Sequence, residues 1–283
     1  MQEQFAVACR GRLPDLFCRS MLARMKRPSA NWLWLVPPFL FGMAYLDRVE
    51  SGPAGDWRGA SRAPVGLAPD PQATPEPVVQ VYAARAVRWR GYFGVHTWIA
   101  VKPRDAVEFT VYEVNGWRLR RTGSAVSVDN RPPDERWFGN RPALLADLRG
   151  EGVDELITRI EQAVASYPYA DTYRVWPGPN SNTFVAHVLR AAPELRADLP
   201  AHAIGKDYLG PGFVAWSPSG TGAQVNLFGV VGALAGIEEG VELNVLGLTF
   251  GVDPLDLSLK VPMAGRLGWP RDVATPVAHA EEK

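Results

Sequence analysis

A chain of 283 residues with 47% hydrophobic and 21% charged side chains can bury one sizeable core. Thirty basic residues balance thirty acidic ones, and no Lys/Arg cluster interleaves with stacking aromatics, so a nucleic-acid partner is not expected. The two cysteines, Cys9 and Cys18, precede an apolar run, and His96, His187, His202 and His279 lack ligand spacing, so neither a disulfide framework, a metal site nor another cofactor is expected.

Residues 1–27 read as a cytoplasmic extension, within which Met21 or Met25 offers an alternative start. Residues 28–46 read as a membrane anchor or signal segment. The stretch Trp32–Leu46, WLWLVPPFLFGMAYL, is uncharged, follows Arg24, Lys26 and Arg27, and precedes Asp47 and Arg48. It is shorter than the roughly 20 residues of a spanning helix, and Pro37 and Pro38 would kink it. No A-x-A pattern of small residues follows, which favours an uncleaved anchor. The basic flank then places the chain in the inner membrane as a single pass, with its main domain periplasmic. The expected partners are the membrane and a ligand from peptidoglycan or lipid.

Residues 47–77, rich in Pro, Gly, Ala and Ser, read as an extended linker. Residues 78–210 read as an α+β domain, a small antiparallel sheet packed with helices. Its strands are expected at Val78–Ala83, Phe93–Val101 and Glu108–Val114, the last two forming a hairpin, with Trp117–Arg121 continuing the meander. Apolar residues at Val153, Leu156, Ile157, Ile160 and Val164 predict a helix over Val153–Tyr167. A second helix should begin near Ser181, where Asn180, Ser181, Asn182 and Thr183 offer caps, and stop before Pro193. Residues 211–268 form a Gly-rich apolar extension, and residues 269–283 a tail. The echo of VNLFGVVG in LNVLGLTFG suggests a long hairpin or a flap touching the membrane.

Two places could carry chemistry. His96 lies on a predicted strand, and Ser181 at a predicted helix start, where backbone N–H groups and the helix dipole favour an anion. Ser181 is a helix cap or a nucleophile with His96 as its base. An orienting group for His96 comes from Tyr112 or Glu113. If Phe109 and Val111 continue the face of Val95, Ile99 and Val101, strand parity favours Tyr112, unless a bulge shifts the register. Asn180, Asn182, Trp98, Trp176 and Tyr173 are candidate substrate-binding residues, and Trp137 and Phe138 could line the same aromatic cleft. His187, six positions after Ser181, faces away from it. SPSGTG at 217–222 lacks the ending of a phosphate-binding loop.

The phrases VVQVYAARAVRWRGYFGVHTWIAVKP, WFGNRP, SYPYADTYRVWPGPNSNTF and AIGKDYLGPG resemble a bacterial family catalogued as domain of unknown function 3750, over about residues 66–268. That resemblance implies no activity. Asn180, Ser181 and Phe184, with His96 upstream, also resemble circularly permuted papain-like proteins of the lecithin:retinol acyltransferase and NlpC type. In those proteins a strand His precedes a helix-start Cys, and here Ser181 stands at the position of the Cys. The resemblance implies a permuted papain-like fold, with either a serine-dependent site or a degenerate one. Three functions follow as expectations: a non-catalytic binding module held at the envelope; a serine-dependent hydrolase or acyltransferase acting on peptidoglycan or lipid amides or esters; and a structural envelope protein.

Overall fold

The computed structural model describes residues 59–268. The expected anchor, the segment before it and the tail lie outside the described residues. No helix among those described is long and apolar enough to cross a membrane.

The first sheet has five antiparallel strands: β1 (Val78–Arg85), β2 (Val95–Lys102), β3 (Thr110–Val114), β4 (Val126–Asn130) and β5 (Ala143–Arg149), in the order β4-β3-β2-β1-β5. The nearly unbroken apolar run of β1 reflects its place inside the sheet, between β2 and β5, where both of its faces are buried. One face carries Val79, Val81, Ile99, Val101 and Val114 against α2 (Val153–Ala165) and α3 (Ser181–Ala191). The other carries Tyr82, Trp98, Ala100 and Val111 beneath Trp137, Leu67 and Ala68. Residues 64–68 are therefore not free linker. The Asp134 carboxylate accepts from the backbone N–H of Val65, Leu67 and Ala68 at 3.2, 2.7 and 3.4 Å and clamps that segment across the sheet.

The helix stripe predicted from Val153 is present, with Leu156, Ile157 and Ile160 buried. Trp117–Arg121, expected to be a strand, is helical instead: α1 spans Gly116–Thr122. Asn115 caps it by accepting from the Arg118 N–H at 2.9 Å, and Gly123, at φ 77°, ends it in the left-handed conformation that glycine adopts freely.

The Gly-rich extension is neither a lone hairpin nor a flap. It forms a seven-stranded antiparallel meander: β6 (Val214–Trp216), β7 (Gly222–Leu227), β8 (Val231–Gly236), β9 (Gly240–Val245), β10 (Leu248–Asp253), β11 (Ser258–Val261) and β12 (Gly265–Leu267). Its alternation is inverted. Gln224, Asn226, Glu242, Asn244, Thr249 and Lys260 point inward and are buried, whereas Val225, Leu227, Leu243, Val245, Phe250 and Leu259 are exposed. The inward side chains meet the loop 198–207. There Lys206 pairs with Glu242, and Lys260 binds both Glu242 and Asp198 at 2.7 Å. Arg190 of α3 donates to Gln224 Oε1 at 2.7 Å and to the Trp216 carbonyl at 3.0 Å, tying the helix to the meander. Two antiparallel sheets with three α-helices make an α+β protein.

Candidate ligand-binding cleft

The pairing of β2 with β3 decides which side chains can meet. Ile99 lies opposite Tyr112 and Ala100 opposite Val111, so Tyr112 shares the helix-facing side with Ile99. Glu113 shares the opposite side with His96 and Trp98. The expected parity is thus corrected by one residue, because β3 enters the ladder only at Thr110, and Phe109 and Val111 belong with Trp98 and Ala100. Tyr112 reaches α2, where its hydroxyl donates to Glu161 Oε1 at 3.2 Å, and burial pushes it up to about 12.

His96 and Glu113 are both buried, and His96 Nε2 donates to Glu113 Oε2 at 2.9 Å. Arg131 approaches the same oxygen at 3.6 Å, and Asn115 Nδ2 donates to the other at 3.4 Å. Burial alone would raise the Glu113 carboxyl, but the His96 hydrogen bond and charge, Arg131 and Asn115 outweigh it and hold the group below the usual carboxylate range. The His96 ring stacks on Trp137 at 3.7 Å between centroids, and Trp117 stacks on the far side of Trp137 at 5.6 Å. The result is a fixed carboxylate behind an aromatic wall.

In front of it opens a cavity of about 230 Å³, lined by Glu113, Asn115, Trp117, Trp137, Ser127, Asp129 and Glu135 together with Arg62, Arg118, Arg121, Arg131 and Arg136. The arginines outnumber the acids. Arg118 is positioned by its Nε–H to the Val126 carbonyl at 2.8 Å, Arg136 by the Gly139 carbonyl at 3.1 Å, and Arg62 lies over the Phe138 ring at 4.4 Å. Such a wall offers forked N–H donors to a carboxylate or phosphate, and flat ring faces to an apolar group beside it. Sequence reading passed over these arginines. Asn115 and Gly123 as the two caps of a helix would have found Trp117 and Arg121, four residues apart on one helical face.

Ser181 lies elsewhere. It is the first residue of α3, whose cap is Asn180: the Asn180 side chain accepts from the N–H groups of Asn182 and Thr183 at 2.9 and 3.2 Å, and Thr183 Oγ1 accepts from the Asn180 N–H. The Ser181 carbonyl accepts from Thr97 Oγ1 at 3.3 Å, which sets this end of α3 on the face of β2 opposite to His96. The structure therefore brings His96 and Glu113 together and does not bring Ser181 or Tyr112 to them.

The substrate-binding candidates also spend their polar groups on the fold. Asn182 Nδ2 donates to the carbonyls of Val95 and Ile204, and Asn180 Nδ2 to those of Val175 and Ile204. Trp98 is fully buried, with Nε1–H on the Pro133 carbonyl at 2.8 Å. Trp176 is exposed and donates to the Leu246 carbonyl at 2.8 Å, while burial pushes the Tyr173 hydroxyl up to about 12. His187 bonds the Ala163 carbonyl at 3.1 Å, within the helix pair. Among the described residues no group of His, Cys, Asp or Glu is placed to hold a metal ion.

No curated protein and no solved structure matches the chain. Residues 76–208, which run from the first strand through the loop after α3, match the family model described as protein of unknown function (DUF3750), and the chain carries a domain of that family.

Proposed function

We propose that this protein is a binding module held at the inner membrane by its N-terminal apolar segment, with the described residues on the periplasmic side and an anionic ligand in the Arg62–Arg136 cleft. The observation that carries this reading is the cleft itself, where arginines from three segments converge on stacked Trp117 and Trp137. Opposed carboxylates leave no excess of acid to repel an anion. Carboxylates of peptidoglycan and phosphates of lipid share the required chemistry. A permuted papain-like ancestry fits the order of strand, strand and helix and the Asn180, Ser181 and Phe184 pattern. His96 turned away from α3 supports a relative that has lost its nucleophile–base pair, because a general base must lie within reach of the proton it removes.

The test is titration of the full chain in detergent with muramyl dipeptide in one arm and phenyl phosphate in the other, read by tryptophan fluorescence. Saturable change in either arm, absent in Trp117→Phe, is expected. Each of Arg121→Gln and Arg136→Gln should weaken it about tenfold, the value of one charge-assisted hydrogen bond. A folded protein that responds to neither probe, or an Arg121→Gln/Arg136→Gln double variant that binds as the parent does, would overturn the reading.

A further inference from the structure

The outward face of the seven-stranded meander is a continuous apolar surface. Its central rung runs Val225, Ala233, Leu243 and Phe250 across four paired strands, and no charged or hydrogen-bonding side chain interrupts the rungs on either side. Leu243 is 56% exposed and Phe250 48%, while their inward neighbours Glu242 and Thr249 are buried. Four six-residue strands about 20 Å long and three shorter ones, all about 4.8 Å apart, give an area on the order of 500 Å², in the upper part of the range for the largest apolar patch on a soluble monomer.

We infer that this face lies on the surface of a lipid bilayer, its side chains set into the boundary between headgroups and acyl chains. Three observations select lipid over a second copy of the chain. Interfaces between proteins carry a hydrogen bond for every 100–200 Å² or so, and the outward side chains of β7 to β10 offer none, while Glu238 and Asp256 in the bordering turns are paired with Arg196 and Arg266. Its apolar character continues into the turns at both ends, with Phe228 and Leu246 at one and Ile237 and Leu257 at the other, all exposed. A fluid acyl layer follows such an outline, and Trp176 and Trp216, both exposed, suit the headgroup level.

The third observation is reach. Residues 47–58, between the apolar segment and the first described residue, span at most about 40 Å, so a chain anchored through Trp32–Leu46 holds residue 59 within that distance of the membrane. That point alone rests on the anchor proposed above. The sheet does not insert. Its edge strands β6 and β12 have three residues each and no strand beyond them in the sheet, and an open sheet edge is not tolerated in hydrocarbon, so only side chains enter.

The experiment places an environment-sensitive fluorophore at Leu243→Cys, or at Gln72→Cys as a control outside the meander, in the full chain with Cys9 and Cys18 replaced by serine. The protein is reconstituted in vesicles of phosphatidylethanolamine and phosphatidylglycerol. At Leu243 the emission should shift to the blue and be quenched by lipids carrying a nitroxide near the headgroup; at Gln72 neither should occur. A blue shift that follows protein concentration and is not quenched by the lipid would mean a second copy covers the face and would overturn the inference. Protein that floats with vesicles while Leu243 reports water overturns it too and leaves the anchor standing. Protein that does not float overturns both.

Discussion

Glu113 is the residue on which the cleft depends, since His96, Arg131 and Asn115 all converge on its two oxygens. Glu113→Ala leaves the buried His96 imidazole without its carboxylate, while Arg131 keeps Glu135 at 3.4 Å, and should cost about 1.5–3 kcal/mol in denaturant unfolding at neutral pH. The carboxyl is held below its usual range, so its contribution is present above about pH 4.3 and is lost as the pH falls through the lower folded value. Parent and variant should therefore converge in acid. His202 works over a different window. Burial, with Arg85 adding to it, depresses its imidazole to about 4, so the unfolded chain binds the extra proton between about pH 6.5 and 4 and stability falls as the pH falls. His202→Leu should flatten that part of the melting-temperature profile. Ser181 offers a third check: with His96 on the other face of β2, the thiol of Ser181→Cys should react with an alkylating probe at the same rate whether residue 96 is His or Gln. A rate that drops with His96→Gln would restore the nucleophile–base pair.

At the scale of elements, α1 links fold to site. Asn115 both caps this helix and donates to Glu113, so Asn115→Ala should lower stability by about 1–2 kcal/mol and weaken anion binding, because Arg118 and Arg121 ride on the helix it starts. Asn115→Asp, which keeps the cap but sets a second carboxylate against Glu113, should separate the two effects: stability of the helix end retained, the buried pair disturbed.

What was legible in the sequence follows the same division. Strands β1 to β3 and α2 announced themselves because their side chains run apolar, alternate or recur at the period of one buried face, as Leu156, Ile157 and Ile160 do, whereas β4 and β5, mostly exposed or half-buried, gave no such signal. Helix α1 did not, because none of its residues is buried and its signal lies only in Asn115 and Gly123. The partner of His96 was misread by parity because the register depends on where β3 joins the ladder, a property of the turn after Lys102. The meander was hidden because its alternation is real but reversed, and because Gly222, Gly232, Gly236, Gly240 and Gly251, where an added Cβ would meet a neighbour at 1.9–2.8 Å, read as loop composition rather than as close strand packing.

At the scale of the whole molecule, a meander that turns its polar side inward must satisfy buried charges, and it does so with Lys206, Lys260, Glu242, Asp198 and Asp207. Removing one partner leaves an uncompensated charge, so Lys260→Met should cost about 3–5 kcal/mol, and because the group is buried, added salt should not restore it. The loss should fall unevenly. The first sheet rests on its own apolar cores, whereas β9 and β11 meet through Glu242 and Lys260, so hydrogen exchange should accelerate across residues 222–267 while residues 78–102 keep their protection. Uniform acceleration would mean that the two sheets unfold as one unit and would refute the division. The pH response supplies the sign. Burial raises Asp198 to about 6 even with Lys260 beside it, and without that ammonium the carboxyl is pushed higher still. A carboxyl raised in the folded state contributes stability that is full below its unfolded value near 4 and is lost as the pH rises through the folded one. Lys260→Met should therefore regain part of its protection between residues 222 and 267 when the pH is lowered from about 7.5 to about 5.5, opposite in direction to the His202 effect. A variant that loses further protection on that shift would show that Arg266, whose Nη1 already lies 3.5 Å from Asp198 Oδ2, takes over the carboxyl and holds it ionised.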